Sequence, residues 1–228
     1  MRSASPSAPL LPCLLFGALL LHGCKTPSAP SPAEQPRAAV VAEQVPAWRR
    51  TASGDDQGRV DQLAQAWDEA LAEAGKGSKR ALTAEGKLLD PGAGLPRPAP
   101  APGSYMCRLI QLGSTSPRVR PFAAAKPVFC YVGVDSDGRL WLAKQTGPFR
   151  RQGYLWDDRD PNRMIFLGSL ASGAKDPPPT YGVLPDRDQG GVLERIGPLR
   201  FRLVTPRPAS GHKLEVLELT PAPSQLDQ

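Results

Sequence analysis

The chain has 228 residues, of which 27 are proline and 22 are glycine. That length allows one or two domains, and so much proline and glycine predicts that part of the chain is extended. A net charge of +6 falls short of the basic surface typical of nucleic-acid-binding proteins, so we expect no nucleic-acid partner. Four cysteines and two histidines leave few residues for metal or nucleophilic chemistry.

Residues 1–23 have the pattern of a cleaved signal peptide. A positively charged start precedes an apolar run over 10–21, and Gly23 follows it. The run is shorter than the roughly 20 apolar residues of a membrane-spanning helix. Residues 21–24 resemble the lipobox of bacterial lipoproteins, which implies cleavage after Gly23 and lipid attachment, including palmitate-type acyl chains, at Cys24.

The lipobox resemblance implies a protein anchored to a membrane that it does not span. Lys25 follows Cys24, whereas the enterobacterial sorting rule requires Asp at this position for retention in the inner membrane. We therefore expect a lipid anchor in the bacterial outer membrane, with the body of the protein on the periplasmic face. An ordinary secretory signal, or an apolar leader on a cytoplasmic protein, remains an alternative.

Two segments precede the main domain. Proline, alanine and serine dominate residues 24–53, which predicts a lipidated linker in the extended polyproline II conformation. Between 55 and 75 apolar residues recur every three or four positions, which predicts one amphipathic helix of about five turns, capped near Ser53. A short helical piece at 78–89 and a proline-dense connector complete a helical segment that spans 54–103.

From residue 104 onward the pattern changes to short runs of β-branched and aromatic residues between turn residues. The predicted strands are 105–112, 128–134, 139–145, 152–156, 163–168, 192–197, 199–205 and 214–220. No helix separates them, so we expect a mainly β domain over 104–221 that closes into a small antiparallel, lipocalin-like barrel of about eight strands. A β-sandwich is the alternative fold, and 222–228 is expected to be a flexible tail.

Two cysteines remain after cleavage and lipid attachment, Cys107 and Cys130. Both fall on predicted strands, and the periplasm is oxidising, which predicts a disulfide between them. Two buried free thiols are the alternative. His212 is the one histidine left and lies far from both cysteines in sequence, so we do not expect a cysteine nucleophile.

The sequence contains no zinc-ligand cluster, phosphate-binding loop, serine nucleophile elbow or dinucleotide fingerprint, so we predict neither a metal nor a cofactor. Residues 158–162 repeat the first half of a calcium loop without its glycine and glutamate, which favours a polar hairpin loop. Asp186, Asp188 and Glu194 could form the paired carboxylates of an envelope carbohydrate hydrolase. The arginines between them favour surface ion pairs and a protein that is not an enzyme.

Charged residues expected on strand surfaces are the remaining candidates for contact with a partner: Lys144, Arg151, Asp188, Glu194 and Arg195. The basic members could contact lipopolysaccharide phosphates, peptidoglycan carboxylates or an acidic protein. We therefore expect the partner to be an unknown periplasmic protein or an envelope polymer.

Several motifs between Trp67 and Pro221 resemble a bacterial family described as domain of unknown function 4893. In chain order they are 102–113, 129–130, 144–147 with Arg151, 163–168, 181–182, 187–188, 193–197, 202–208 and 213–219. The resemblance implies an exported protein with a pair of cysteines, and it implies no reaction or ligand. We expect a lipid-anchored envelope lipoprotein that acts as a binding or structural module. A carbohydrate hydrolase, a barrel carrying a small ligand and a barrel-type protease inhibitor are the alternatives.

Overall fold

A computed structural model describes residues 45–173 and 175–223. The predicted signal peptide, the lipid-attachment residue Cys24 and most of the predicted linker lie outside the described residues. The helices of the described part are α1 (Ala47–Thr51), α2 (Gly54–Asp61) and α3 (Leu63–Glu85), and short 3-10 helices form at Gly86–Leu89 and Pro185–Arg187. No helix within these residues is both long and apolar enough to cross a bilayer.

The strands form one antiparallel sheet: β1 (Gly103–Leu112), β2 (Phe122–Ala124), β3 (Val128–Val134), β4 (Leu140–Lys144), β5 (Arg151–Asp157), β6 (Arg163–Leu170), β7 (Asp188–Gly197), β8 (Arg200–Pro206) and β9 (Leu214–Pro221). Apart from β2, each strand pairs with the next, and β9 pairs back with β1. The sheet therefore closes into an eight-stranded barrel, which leaves no long unpaired edge. The predicted mainly β barrel is confirmed, and the sandwich alternative is wrong.

Apolar side chains from all eight barrel strands fill the lumen. They alternate along each strand with side chains on the outer wall, and they are Tyr105, Cys107, Leu109, Cys130, Val132, Leu142, Leu155, Met164, Phe166, Leu193, Phe201, Leu203, Leu217 and Leu219. The predicted disulfide is confirmed inside this core, where the Cα atoms of Cys107 and Cys130 lie 5.8 Å apart. Because side chains occupy the lumen, the hypothesis of a small-ligand carrier with an open barrel interior is wrong.

The helices pack on the outer wall of the barrel. Trp67 and Ala70 of α3 are buried against Val204 of β8 and Val216 of β9. Trp48 of α1 is fully buried in a second cluster that includes side chains of β6 and β7. Strands covered on both faces carry apolar residues on both, which is why Val204, Leu214 and Val216 lie on the outer faces of β8 and β9 where α3 covers them.

The sequence prediction differs from the structure in a linker, a helix and a strand. The linker prediction included residues 47–51, which form α1, because the indole of Trp48 gains burial against the barrel. The single helix predicted over 55–75 is interrupted at Gln62, and α3 continues past Gly75 to Glu85 with a kink at Ser78. Strand β2 was not predicted, because three residues paired with β1 give no periodic signal.

The hairpin loops lie at two opposite ends of the barrel. We name one end the mouth; its loops are 145–150 between β4 and β5, 171–187 between β6 and β7, and 207–213 between β8 and β9. The loop between β5 and β6 lies at the other end, where the indole nitrogen of Trp48 donates a hydrogen bond to Asp158 over 2.9 Å. The described chain therefore enters the domain at the end opposite the mouth.

Candidate functional site

A layer of polar side chains closes the lumen just below the mouth. Each member lies an even number of residues from a lumen-filling residue of its own strand and so faces inward. The members are Gln111, Lys144, Arg151, Gln189, Thr205 and Glu215. Three of them carry charge, and charge this deeply buried requires a partner or a dense set of hydrogen bonds.

An ion pair forms the centre of this layer. Arg151 donates from Nη2 to Oε2 of Glu215 over 2.5 Å, and both side chains are 1% exposed. Gln111 donates to the other oxygen of Glu215 over 2.9 Å, and Arg151 Nη1 lies 3.3 Å from the hydroxyl of Thr205. Burial alone would raise the pKa of Glu215, but the charge and hydrogen bonds of these neighbours outweigh it and hold that pKa below its ordinary value.

Lys144 fixes the loop above the ion pair. Its Nζ donates to the backbone carbonyl of Thr146 over 2.8 Å and to that of Pro148. Burial, together with the nearby positive charge of Arg151, lowers the pKa of Lys144 to about 8. The ammonium group has carbonyl partners and no carboxylate partner among the described residues, so its charge is not neutralised locally.

A cavity of about 720 Å³ lies over this layer, between the three mouth loops. Its walls combine apolar residues such as Phe149 and Leu170 with Arg150 and Arg187. The backbone of Phe149 has φ of +54°, a left-handed conformation that is strained for a residue with a side chain. The size falls within the range of small-molecule sites, and the mixture of apolar and charged walls is typical of such sites.

The structure separates the predicted contact residues into two groups. Lys144 and Arg151 were expected on the surface, but they lie in the buried polar layer, because the inward face of a strand stays polar where the lumen approaches the mouth. Asp188 lies at the mouth end of β7, where its carboxylate accepts hydrogen bonds from the Ser169 hydroxyl over 2.5 Å and the Gly182 amide over 2.9 Å. It thereby anchors the loop between β6 and β7.

Glu194 and Arg195 lie toward the other end of β7. Glu194 accepts a hydrogen bond from Arg202 over 2.7 Å, and Arg202 is completely buried under α3 and the adjoining 3-10 helix. Arg195 donates to the carbonyl of Pro96 over 2.6 Å and holds the connector against the barrel. Asp188 and Glu194 are six residues apart on one strand, about 20 Å, so they cannot serve together as the acid and base of a glycoside hydrolase.

A model of the family described as domain of unknown function (DUF4893) matches residues 48–219. The chain belongs to this family. The DUF4893 domain begins at Trp48 in α1 and ends at Leu219 in β9, so it comprises the helices and the barrel together. No curated protein and no solved structure matches the chain.

Sequence reasoning did not single out Glu215 or Gln189 at the mouth of the DUF4893 domain. Glu215 faces inward with Leu217 and Leu219, and strict alternation from those leucines would have identified it. Gln189 is 3% exposed, and neither polar atom of its side chain has a partner among the described residues. It borders a separate cavity of about 70 Å³, large enough for a water molecule.

Metal-binding clusters are absent from the part of the DUF4893 domain that the structure describes. Residues 158–162 form the predicted polar hairpin loop between β5 and β6. Asp158 there pairs with Arg163 over 2.6 Å and with the indole of Trp48. These partners assign Asp158 a role in attaching α1 to the barrel.

Proposed function

We propose that this protein is a lipid-anchored lipoprotein of the bacterial envelope that acts as a non-enzymatic binding module, with its binding site at the mouth of the barrel. The observation that carries this proposal is the cavity of about 720 Å³ over a packed lumen. The packed lumen provides a rigid base, and the loops on it supply the shape of the site. Binding sites commonly consist of loops positioned by such a scaffold.

The proposed location is the outer membrane, with Cys24 as the lipid-bearing residue and the body in the periplasm. The signal-peptide pattern of residues 1–23 supports export to this location. The Cys107–Cys130 disulfide also supports it, because disulfides persist in oxidising compartments. The described chain enters the barrel opposite the mouth. A tether at that end leaves the mouth loops free to meet a partner.

The bonding of the mouth residues supports binding rather than catalysis. Glu215 is held by Arg151 and Gln111, and Asp188 is held by Ser169 and a backbone amide. Carboxylates engaged in this way stabilise loops and strands and are not free to exchange protons with a substrate. The proposed partner is a component of the envelope, and the proposal includes neither a cofactor nor a nucleic acid.

Photocrosslinking in cells tests the location of the binding site. A photoreactive phenylalanine analogue replaces either Phe149, 40% exposed in the mouth, or Leu199, 65% exposed in the turn at the opposite end. We expect a discrete adduct from position 149 and none from position 199. Equal adducts from both positions, or an adduct from position 199 alone, would contradict a site at the mouth.

Metabolic labelling with a palmitate analogue tests the anchor. The wild-type protein should incorporate the label and fractionate with outer membranes. The Cys24→Ser variant should incorporate none, because serine offers no thiol for the lipid. Equal labelling of both proteins would refute the lipoprotein assignment.

A further inference from the structure

The charged residues in the walls of the mouth cavity are both arginines, Arg150 and Arg187. Arg187 is partly buried, and its side chain has no hydrogen bond or ion pair with any residue in 45–173 or 175–223. Arg150 uses Nη2 to hold the carbonyls of Gly173 and Asp176, which leaves its other guanidinium donors available. Two guanidinium groups with unused donors favour a ligand that accepts hydrogen bonds and carries negative charge.

The buried residues next to the cavity add positive charge to that of the two arginines. Lys144 and Arg151 supply two cations; Glu215 pairs with Arg151, whereas Lys144 is held by backbone carbonyls. The ammonium of Lys144 lies directly below the loop, because a Cβ atom placed on Gly147 would be 3.4 Å from Nζ. Positive charges that are buried away from water attract a nearby anionic ligand more strongly than the same charges in water.

Two carboxylates near the mouth border a different cavity, and a third, that of Asp176, lies beside Gly173 in the wall. Asp186 and Asp188 line the separate cavity of about 70 Å³, which shares Ala209 with the mouth cavity. Asp188 is also bound to Ser169 and to the loop backbone. The charged residues that line the mouth cavity are thus arginines, while Asp186 and Asp188 line the separate cavity.

Part of the cavity wall is apolar. Pro148, Phe149, Leu170 and Ala171 line it, and Phe149 is 40% exposed although its ring is apolar. An inorganic ion would leave these surfaces in water. An apolar group attached to the anion would cover them and gain the free energy of burying apolar surface.

We propose that the mouth binds an organic anion, in which a phosphate or carboxylate group contacts Arg187 and Arg150 and an attached apolar group packs on Phe149 and Leu170. This inference rests on the proposed function, since it names the ligand chemistry of the same site. The shared chemistry is an oxyanion on an apolar body.

Calorimetric titration of the full chain with four probes tests the inference. Naphthyl phosphate and naphthoate carry both features, naphthol lacks the anion, and inorganic phosphate lacks the apolar body. We expect both anionic naphthyl compounds to bind at least about tenfold more tightly than naphthol and inorganic phosphate, because each class of contact contributes separately. The comparison of phosphate with carboxylate identifies which oxyanion the mouth prefers.

Arginine variants locate the anion. Arg187→Gln should weaken naphthyl phosphate binding by about tenfold and leave naphthol binding unchanged. Arg80→Gln removes the same charge from an exposed position on α3 and should change neither affinity. Arg187→Lys should recover part of the lost affinity for naphthyl phosphate, since lysine restores the positive charge but lacks the planar set of N–H donors of a guanidinium group.

Equal affinity for naphthyl phosphate and naphthol, equal affinity for naphthyl phosphate and inorganic phosphate, or the same loss in Arg187→Gln and Arg80→Gln would each overturn the inference. Absence of saturable binding by both anionic naphthyl probes would also overturn it. A crosslink from position 149 combined with any of these results would leave the binding module standing and refute only the ligand chemistry. Absence of the crosslink would refute the site itself.

Discussion

The ion pair between Arg151 and Glu215 offers a direct test of the polar layer. Glu215→Gln retains the size of the side chain and an acceptor for Gln111, but it removes the negative charge that Arg151 contacts at 2.5 Å. Because both side chains are 1% exposed, water cannot replace the lost partner. We expect the free energy of unfolding to fall by about 3 to 5 kcal/mol, the range for breaking a buried pair.

Two features place the cost toward the upper part of that range. The contact left to Arg151 Nη1 is a long one, 3.3 Å, to the hydroxyl of Thr205. Lys144 lies nearby and is also stabilised in its charged form by Glu215, so the variant leaves two cations close together. Repulsion between them adds to the desolvation of Arg151.

Urea unfolding followed by tryptophan fluorescence measures this cost, with Asp61→Asn as the matched control. Asp61 also pairs with an arginine, Arg49, but the two side chains are 51% and 31% exposed, so the control should cost less than about 1 kcal/mol. The double variant Arg151→Met, Glu215→Leu should be about as stable as the wild type or more stable, because it removes both charges of the pair together.

Acid supplies a second measurement on the same variant. The pKa of Glu215 lies below its ordinary value of 4.5 in the folded state, so its contribution is complete above that value and disappears as the pH falls through the folded pKa. The stability difference between wild type and Glu215→Gln should therefore shrink in acid. A cost similar to that of Asp61→Asn at neutral pH, or a double variant as unstable as the single one, would refute the assignment of a buried, mutually dependent pair.

Three further predictions concern the wall, the helices and the mouth. Reduction of the Cys107–Cys130 disulfide, which closes a separation of 23 residues, should cost about 3 kcal/mol and lower the melting temperature by about 10 °C; an unchanged melting curve would contradict a structural role. Trp48→Ala should cost about 3 to 5 kcal/mol in urea unfolding, whereas Val45→Ala, at a position 53% exposed, should have little effect; equal effects would exclude α1 from the folding unit. The pKa of Lys144 is lowered from 10.5 to about 8, so the unfolded chain binds more protons than the folded chain between these pH values. The free energy of unfolding of the wild type relative to Lys144→Met should therefore rise by roughly 2 kcal/mol from pH 8 to 10.5. A flat difference over that pH range would show that Lys144 is exposed to solvent.

Local sequence signals were sufficient to predict most of the barrel. The strand and hairpin signals depend on neighbours within about ten residues, namely alternation of period two and turn residues that tolerate unusual backbone angles. The loop between β3 and β4 illustrates this, since Gly138 adopts φ of +77° and Asp135 bonds to Arg139 across the turn. The disulfide was also predictable, because two cysteines on predicted strands in an oxidising compartment have few alternatives.

The sequence by itself determined the strands, their turns and the pairing of Cys107 with Cys130, because those features depend on local backbone preferences and on thiol chemistry. The tertiary structure decided between a closed barrel and a sandwich, and it decided that α1 and α3 cover the outer wall and that Arg151 and Arg202 are buried. Alternation assigns a residue to one face of a strand but does not say what covers that face. In this barrel both faces of several strands are covered, so the long-range contacts of Arg151 with Glu215 and of Arg202 with the carbonyl of Leu88 arise only in the tertiary structure.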